Sequence, residues 1–230
     1  MLKSQTRLLV ALSLVVAYAA PAFAEQSEQQ WLKNCSHSEQ CYGKTDSRTG
    51  EMAFALGNFY HKQHQYDREA GAYTKAMHIF EQSPGKNGDM LRYYSDALAR
   101  VYFEEQKLDQ AEKLYKRAIE IGERLPGKDK TYVLPNTLQG LAQVYIAQNK
   151  FPQAEAALKE RIELRHRFLN QGEVDIALLD LAKLYTQWGK LDQARKLYDE
   201  LLTMPKISVD VKDGYANFLA RSACKQTSSN

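Results

Sequence analysis

Apolar side chains between residues 50 and 222 recur at steps of three and four positions, which is the period of an amphipathic α-helix. Short polar stretches, several with Gly, Pro or Asn, interrupt the pattern at regular intervals. The pattern therefore predicts an all-α chain of antiparallel helix pairs. The predicted pairs are 50–62 with 66–82, 90–105 with 108–124, 134–148 with 151–170, and 174–188 with 191–204, and a single last helix follows at 209–224.

The same set of residues returns in each predicted pair. A leucine in the first helix is followed by a small residue and, four positions after the leucine, by a tyrosine. The leucines are Leu56, Leu98, Leu141 and Leu181, and they lie 42, 43 and 40 positions apart. A long fixed period is typical of stacked repeats, because one helix pair cannot bury its own apolar face.

These residues resemble the tetratricopeptide repeat family over residues 50–222. The family's small residue in the first helix matches Gly57, Ala99, Ala142 and Ala182. Its alanine in the second helix matches Ala111, Ala154 and Ala194, whereas the first pair has Glu69 at that place. The resemblance implies a right-handed superhelical solenoid of about four repeats with a C-terminal capping helix, at residues 49–222. The long period is similar to that of kinesin light chains and of many bacterial proteins.

The resemblance also implies a binding site, because ligands of this family usually lie in a concave groove lined by the first helix of each pair. The family's groove positions fall here on Phe54, Asn58, His61, Tyr93, Asp96, Arg100, Phe103, Gln139, Gln143, Ile146, Leu179, Lys183 and Thr186. Aromatic, amide and charged side chains together suit an extended or helical peptide. For Phe54, Tyr93 and Phe103, packing between helices is an equally good interpretation.

Residues 1–24 have the three parts of a secretory signal peptide. Lys3 and Arg7 form a basic start, residues 8–20 are almost entirely apolar, and Ala22-Phe23-Ala24 is a cleavage site. The apolar run is shorter than the roughly 20 residues of a spanning helix. We therefore expect export to the periplasm, or alternatively secretion, and no membrane insertion of the mature chain.

The rest of the chain is close to neutral in charge. Without Lys3 and Arg7 it has 29 basic and 28 acidic residues, a net charge of +1. A nucleic-acid-binding domain usually carries a basic patch, so no nucleic-acid partner is expected. Residues 25–48 are predicted to be a polar N-terminal segment, and residues 223–230 a disordered tail.

Three cysteines remain after residue 24, namely Cys35, Cys41 and Cys224. An exported protein meets an oxidising compartment, and a disulfide between Cys35 and Cys41 is expected because the two lie close in sequence. Cys224 would then be free or intermolecular. Cys35, His37 and Cys41 supply three metal ligands without a clear fourth, so a structural metal is not expected.

Candidate catalytic chemistry is sparse. His61 and His64 lie three positions apart, but no acidic residue accompanies them as in a metalloprotease motif, and phosphate-binding and nucleophile-elbow motifs are absent from the sequence. The sequence predicts a non-enzymatic protein without cofactor that binds a protein or peptide, as an adaptor or assembly factor in the cell envelope. The alternatives are a metal or thiol enzyme that uses His61, His64 or Cys224, and a purely structural subunit. A homo-oligomer is compatible with each of these functions.

Overall fold

The computed structural model describes residues 28–82, 88–124, 129–168, 171–204 and 208–227. Within these ranges the chain forms ten helices and no strand. The helices are α1 at 28–42, α2 at Ser47–Lys62, α3 at Tyr66–Gln82, α4 at Gly88–Glu104, α5 at Leu108–Arg124, α6 at Asp129–Ala147, α7 at Phe151–Phe168, α8 at Gln171–Trp188, α9 at Leu191–Leu202 and α10 at Val209–Thr227. The predicted signal peptide, residues 1–24, lies outside the described residues.

The chain divides into two compact units, Met1–Asn87 and Gly88–Asn230. Unit 1 contains α1 to α3, and unit 2 contains α4 to α10. Within the units, α2 contacts α3, α4 contacts α5, α6 contacts α7 and α8 contacts α9. The four predicted helix pairs are therefore confirmed, and α10 is the single last helix.

The core of unit 1 includes side chains from α1, a helix within residues 25–48, which were predicted to be a polar segment. Cys35 of α1 lies in one buried cluster with Leu56, Tyr60 and Ala72, and Trp31 packs at its edge. The ring centroid of Trp31 lies 6.4 Å from that of Phe59. Residues 28–42 are thus helical and cover the α2–α3 pair, although their composition is mostly polar.

Each turn between a first and a second helix has the same geometry. The second-last residue before the next helix has a positive φ, namely His64 (55°), Gln106 (59°), Asn149 (58°) and Gly189 (82°). The following N–H donates to the carbonyl of the repeat tyrosine five positions earlier, as from Lys107 to Tyr102 at 2.8 Å and from Lys150 to Tyr145 at 2.8 Å. This bond pattern is that of the Schellman motif, which ends a helix with a left-handed residue.

The small repeat residues allow the helices of a pair to approach closely. In unit 2, Ala99, Ala111, Ala154, Ala182 and Ala194 are completely buried within one large cluster. In unit 1, a Cβ added to Gly57 would lie 2.4 Å from the ring of Tyr73. These positions therefore need small side chains because a neighbouring helix or ring occupies the space.

Successive repeats of unit 2 are joined by a repeated ion-pair clamp. Glu112 of α5 accepts hydrogen bonds from Lys116 at 2.6 Å and from Lys150, in the next repeat, at 2.8 Å. Glu155 of α7 does the same with Lys159 at 2.6 Å and Lys190 at 3.1 Å. Each glutamate is only 16% exposed, whereas its lysine partners are 33–56% exposed, so each clamp lies at the protein surface.

Several helix boundaries differ from the prediction by up to five residues, including those of α6 and α10. The sequence pattern predicts a start at residue 134, but α6 begins at Asp129 and contains Pro135. α10 continues to Thr227 and so includes part of the segment predicted as a disordered tail, residues 223–230. Residues 228–230 lie outside the described part of the chain.

The expected disulfide between Cys35 and Cys41 is not formed, and both cysteines are free thiols. Both lie on α1, six positions apart, which separates them by about 9 Å along the helix axis. A disulfide needs Cα atoms within about 7 Å. Instead, the Cys35 thiol donates to the carbonyl of Met52 at 3.7 Å, and Cys41 lies 3.4 Å from the Nε2 atom of His37.

Candidate functional site

The three predicted groove residues of unit 1 have different surroundings. Phe54 is buried and stacks on Tyr73, with ring centroids 4.7 Å apart, so it belongs to the core. Asn58 is exposed and accepts a hydrogen bond from the Tyr73 hydroxyl at 2.7 Å. His61 is partly exposed and lies 3.0 Å from a carboxylate oxygen of Glu69.

Glu69 is the residue that departs from the repeat pattern, and its side chain is fully buried. It lies on α3 where the other second helices have alanine, and His61 of α2 reaches it across the pair. A buried carboxylate needs such a partner because removing it from water is costly. His61 is thus engaged within unit 1.

In unit 2, the three first helices α4, α6 and α8 and the last helix α10 expose the same repeat position. Arg100, Gln143, Lys183 and Asn217 each lie two residues after the repeat leucine, or after Tyr215 in α10, and all four are exposed. The neighbours of Arg100, Gln143 and Lys183 are buried, as Ala142 and Val144 are around Gln143. We call these four residues the donor row, because each side chain can donate hydrogen bonds and none is acidic.

The other predicted groove residues of unit 2 are less available. Tyr93 is 49% exposed, with its ring 5.9 Å from that of Tyr94. Phe103 and Ile146 are partly buried against the core, whereas Leu179 and Thr186 are buried. The predicted groove therefore contains both surface and core side chains.

Asp96 is a largely enclosed carboxyl group on α4. Burial raises its pKa, against the opposing effects of a hydrogen bond from Thr137 and of the charges of Arg92 and Arg100. Arg100 therefore acts on a carboxyl group of its own helix as well as belonging to the donor row.

Gln139 is engaged in a polar triad inside unit 2. Its Nε2 donates to Asp180 Oδ2 at 2.9 Å, and its Oε1 accepts from Arg161 at 3.1 Å. Arg161 of α7 also donates to Asp180 Oδ2 at 2.5 Å. Because both ends of the amide are used, Gln139 connects α6, α7 and α8 rather than offering its amide to a ligand.

The repeat junctions before and after the triad have a different arrangement at the equivalent place. A Cβ added to Gly140 would lie 2.4 Å from Tyr115 Cζ, and one added to Gly214 would lie 3.1 Å from the Tyr198 hydroxyl. At these two places a tyrosine from the second helix fills the space beside a glycine. Between α6 and α8 the equivalent residues are Leu158 and Asp180, and Arg161 fills the space instead.

A cleft of about 320 Å³ opens between α8 and α10. Its lining includes Lys183, Gln187, Asp210, Asp213, Asn217 and Arg221, and Tyr198 of α9 also contributes. A second depression shares Gln187 and Arg221 with it and extends to Trp188 and Leu191. Two members of the donor row, Lys183 and Asn217, thus face one concave site.

Metal-binding clusters and membrane-spanning helices are absent from the described ranges. No group of three or more His, Cys, Asp or Glu side chains there is arranged to hold a metal ion. No helix among the described residues is both long and apolar enough to cross a bilayer. Cys224, named as a thiol candidate, has a side chain outside the described part of the structure.

Two family models described as "Tetratricopeptide repeat" match the chain, one at residues 89–167 and the other at 140–206. Residues 89–206 are tetratricopeptide repeats. Proteins of this family generally act as non-catalytic scaffolds for protein interactions. No curated protein matches the sequence.

Solved structures with the same fold share little sequence with this tetratricopeptide repeat protein. BtubC (BKLC) from P. vanneervenii has a TM-score of 0.65 at 18% identity and covers 89% of this chain and 82% of its own. A putative kinesin light chain from Podosopora anserina with nearly identical TPR-like repeats gives 0.66 at 14%, over 91% and 95%. YrrB, a TPR protein with an unusual peptide-binding site, gives 0.55 at 14%, over 84% of each chain. The fold is therefore an all-α helical-repeat solenoid.

Several residues of the site escaped the sequence analysis. The triad residues Arg161 and Asp180 were missed because neither matches a repeat position of the family, although Arg161 is a charged residue at a place where the second repeat has Ala118. The cleft residues on α10 were missed because α10 was treated only as a cap. The repeat register itself would have placed Asn217 beside Lys183.

Proposed function

We propose that this tetratricopeptide repeat protein is an exported adaptor or assembly factor of the cell envelope that binds a protein or peptide on the first helices of unit 2. The observation that supports the site is the donor row. Arg100, Gln143, Lys183 and Asn217 are exposed at one register position of α4, α6, α8 and α10. No hydrogen bond or ion pair between side chains of the described residues engages any of them.

The spacing of the row suits an extended chain. Where the helices of the row contact each other directly, as α4 with α6 and α8 with α10 do, packed helices lie about 8–10 Å apart, which equals roughly three residues of extended backbone at about 3.3 Å each. Side chains that donate hydrogen bonds can meet backbone carbonyls or carboxylates at that interval. A ligand that crosses the first helices could therefore contact every member of the row.

The proposed location rests on residues 1–24 alone. A basic start, an apolar run and an Ala-x-Ala site are the features by which an export signal is read. N-terminal sequencing of the protein from fractionated host cells tests it, and the expected result is an envelope or medium fraction whose chain begins at Glu25. An intact N-terminus in the cytoplasmic fraction would refute export but would leave the binding proposal unaffected.

The binding proposal is tested by affinity capture from envelope extracts with quantitative mass spectrometry. The test variant is Arg100→Ala/Gln143→Ala/Lys183→Ala. The control is Lys113→Ala/Gln153→Ala/Lys196→Ala, which removes two cations and one amide from exposed positions of the second helices. The amount of each partner protein recovered should be at least about tenfold lower with the test variant than with wild type and control. Equal recovery from all three proteins would show that the donor row is not part of the binding site.

Oligomeric state stays a prediction. Light scattering of the mature protein at several concentrations distinguishes a monomer from a homo-oligomer. A stable monomer would also argue against the purely structural role within a larger assembly.

A further inference from the structure

We propose that the cleft between α8 and α10 binds a peptide segment in which a basic and an acidic residue are adjacent. This inference deepens the proposed peptide-binding function and depends on it. It names the charge pattern of the ligand at one end of the donor row.

The first argument is the distribution of charge in the cleft. Asp210 and Asp213 lie near the N-terminal end of α10, and Arg221 lies two to three turns further along the same helix. The rise from Asp213 to Arg221 is about 12 Å. Lys183 of α8 faces the same space. The cleft therefore has an acidic end and a basic end.

The second argument is that these charges are available. Within the part of the chain that the structure describes, Lys183, Asp210, Asp213 and Arg221 form no ion pair with one another or with other side chains. The neighbouring triad differs in this respect, since Asp180 is paired with Arg161. These exposed charges of both signs in one concave site are complementary to a ligand that carries both.

The third argument concerns size and geometry. A volume of about 320 Å³ is at the small end of ligand sites, so the cleft takes a short segment rather than a whole folded element. Successive side chains of an extended chain point to opposite sides. A segment that crosses α8 and α10 thus sends one side chain towards Asp213 and the next towards Arg221.

This geometry also explains which ligands are disfavoured. Two adjacent residues of the same charge would place one of them against a like charge, and like-charge contacts across an interface reduce binding. The order of charges in the ligand, and not only its composition, should therefore determine affinity.

The experiment compares two fluorescent peptides of identical length and composition. In one, Lys and Glu alternate, and in the other, all Lys residues precede all Glu residues. Fluorescence anisotropy with the full mature protein should show the alternating peptide binding at least about tenfold more tightly, with the difference reduced by salt. Equal binding of the two peptides, or no binding of either, would overturn the inference.

Substitutions locate the effect in the cleft. Asp213→Asn/Arg221→Gln replaces both charges with neutral polar side chains and should abolish the preference for alternation. The control Asp199→Asn/Lys196→Gln changes the same charges at exposed positions of α9 and should keep the preference. A preference that survives in the Asp213/Arg221 variant would also overturn the inference.

A further double variant separates this inference from the proposed function. Arg100→Ala/Gln143→Ala removes two members of the donor row outside the cleft. Loss of captured partners with that variant, together with equal binding of the two peptides, would retain the proposed function and reject the charge pattern. Unchanged capture would reject the donor row itself.

Discussion

Arg161 and Asp180 form an ion pair in which the guanidinium side chain is only 2% exposed and the carboxylate side chain 24% exposed. The pair lies where the neighbouring junctions between repeats have a tyrosine ring against a glycine. One repeat junction of unit 2 is thus built from charges and its neighbours from an aromatic ring. A buried arginine whose partner is removed is left uncompensated, which makes this junction sensitive to single substitutions.

The first prediction is that Asp180→Ala lowers the free energy of unfolding by about 3 kcal/mol, because it removes the carboxylate partner of the buried Arg161 side chain. Urea denaturation followed by circular dichroism measures it. The triple variant Leu158→Tyr/Arg161→Ala/Asp180→Gly reproduces Tyr115, Ala118 and Gly140 of the preceding junction. It should recover stability to within about 1 kcal/mol of wild type. A triple variant as unstable as Asp180→Ala would contradict the equivalence of the junctions.

The second prediction compares two glycines inside helices. Gly140→Ala should destabilise by about 1–3 kcal/mol, because the new Cβ would lie 2.4 Å from a ring carbon of Tyr115. Gly71→Ala meets nothing within 4 Å and should stabilise by about 0.5–1 kcal/mol through helix propensity. Thermal unfolding of both variants gives the comparison, and two changes of the same sign would be the contrary result.

The third prediction is a loss of stability in acid from the two clamps. Partial burial opposes ionisation of Glu112, but hydrogen bonds from Lys116 and Lys150 outweigh it and lower its pKa from 4.5 to about 2. Glu155 is likewise lowered to about 2 against its burial, by Lys159, Tyr185 and Lys190. A carboxyl group with a lowered pKa stabilises the fold above its unfolded pKa and loses this contribution as the pH falls. Stability should therefore decrease between about pH 4.5 and 2.

The test of the clamps is the pH dependence of unfolding in wild type and in Glu112→Gln/Glu155→Gln. The variant should have a shallower decrease over that window, by about 1 kcal/mol for each clamp at low salt, and less at high salt. Identical pH profiles would show that other carboxyl groups cause the acid sensitivity.

The fourth prediction concerns the cysteines. Burial raises the pKa of the Cys35 thiol, and its side chain lies in the unit 1 core, so it should react slowly with iodoacetamide. Cys41 is exposed and should be alkylated quickly. Peptide mapping of the native protein after short labelling distinguishes the two. A Cys35–Cys41 linked peptide without reductant would contradict the helical separation of the two thiols.

The helix pairs were predictable because their signals are local. The interval from Tyr102 to Leu108 is the same as that from Tyr145 to Phe151, and each interval contains one Schellman turn. Helix starts that follow the longer connections were less certain, since Pro135 is compatible both with a first turn and, as observed, with the interior of α6.

The site was harder to predict than the fold. Periodicity shows which residues share a face of a helix, but not which side chains of neighbouring helices contact that face. Gln139 and Gln143 share a face of α6, yet Arg161 from α7 binds only Gln139. Phe54 has the periodicity of a groove residue, and the ring of Tyr73 covers it. Long side chains from a second helix decide these cases, and their reach is a property of the folded structure.

The Schellman turn has a consequence for protein engineering. It fixes the same number of residues between Tyr60 and Tyr66, Tyr102 and Leu108, and Tyr185 and Leu191. The differences between the periods of 42, 43 and 40 therefore arise in the second helices or in the inter-repeat connections and helix starts that follow them. Reporter tags or epitope insertions belong in those inter-repeat connections, whereas a single residue added to a Schellman turn would shift the register of a whole repeat.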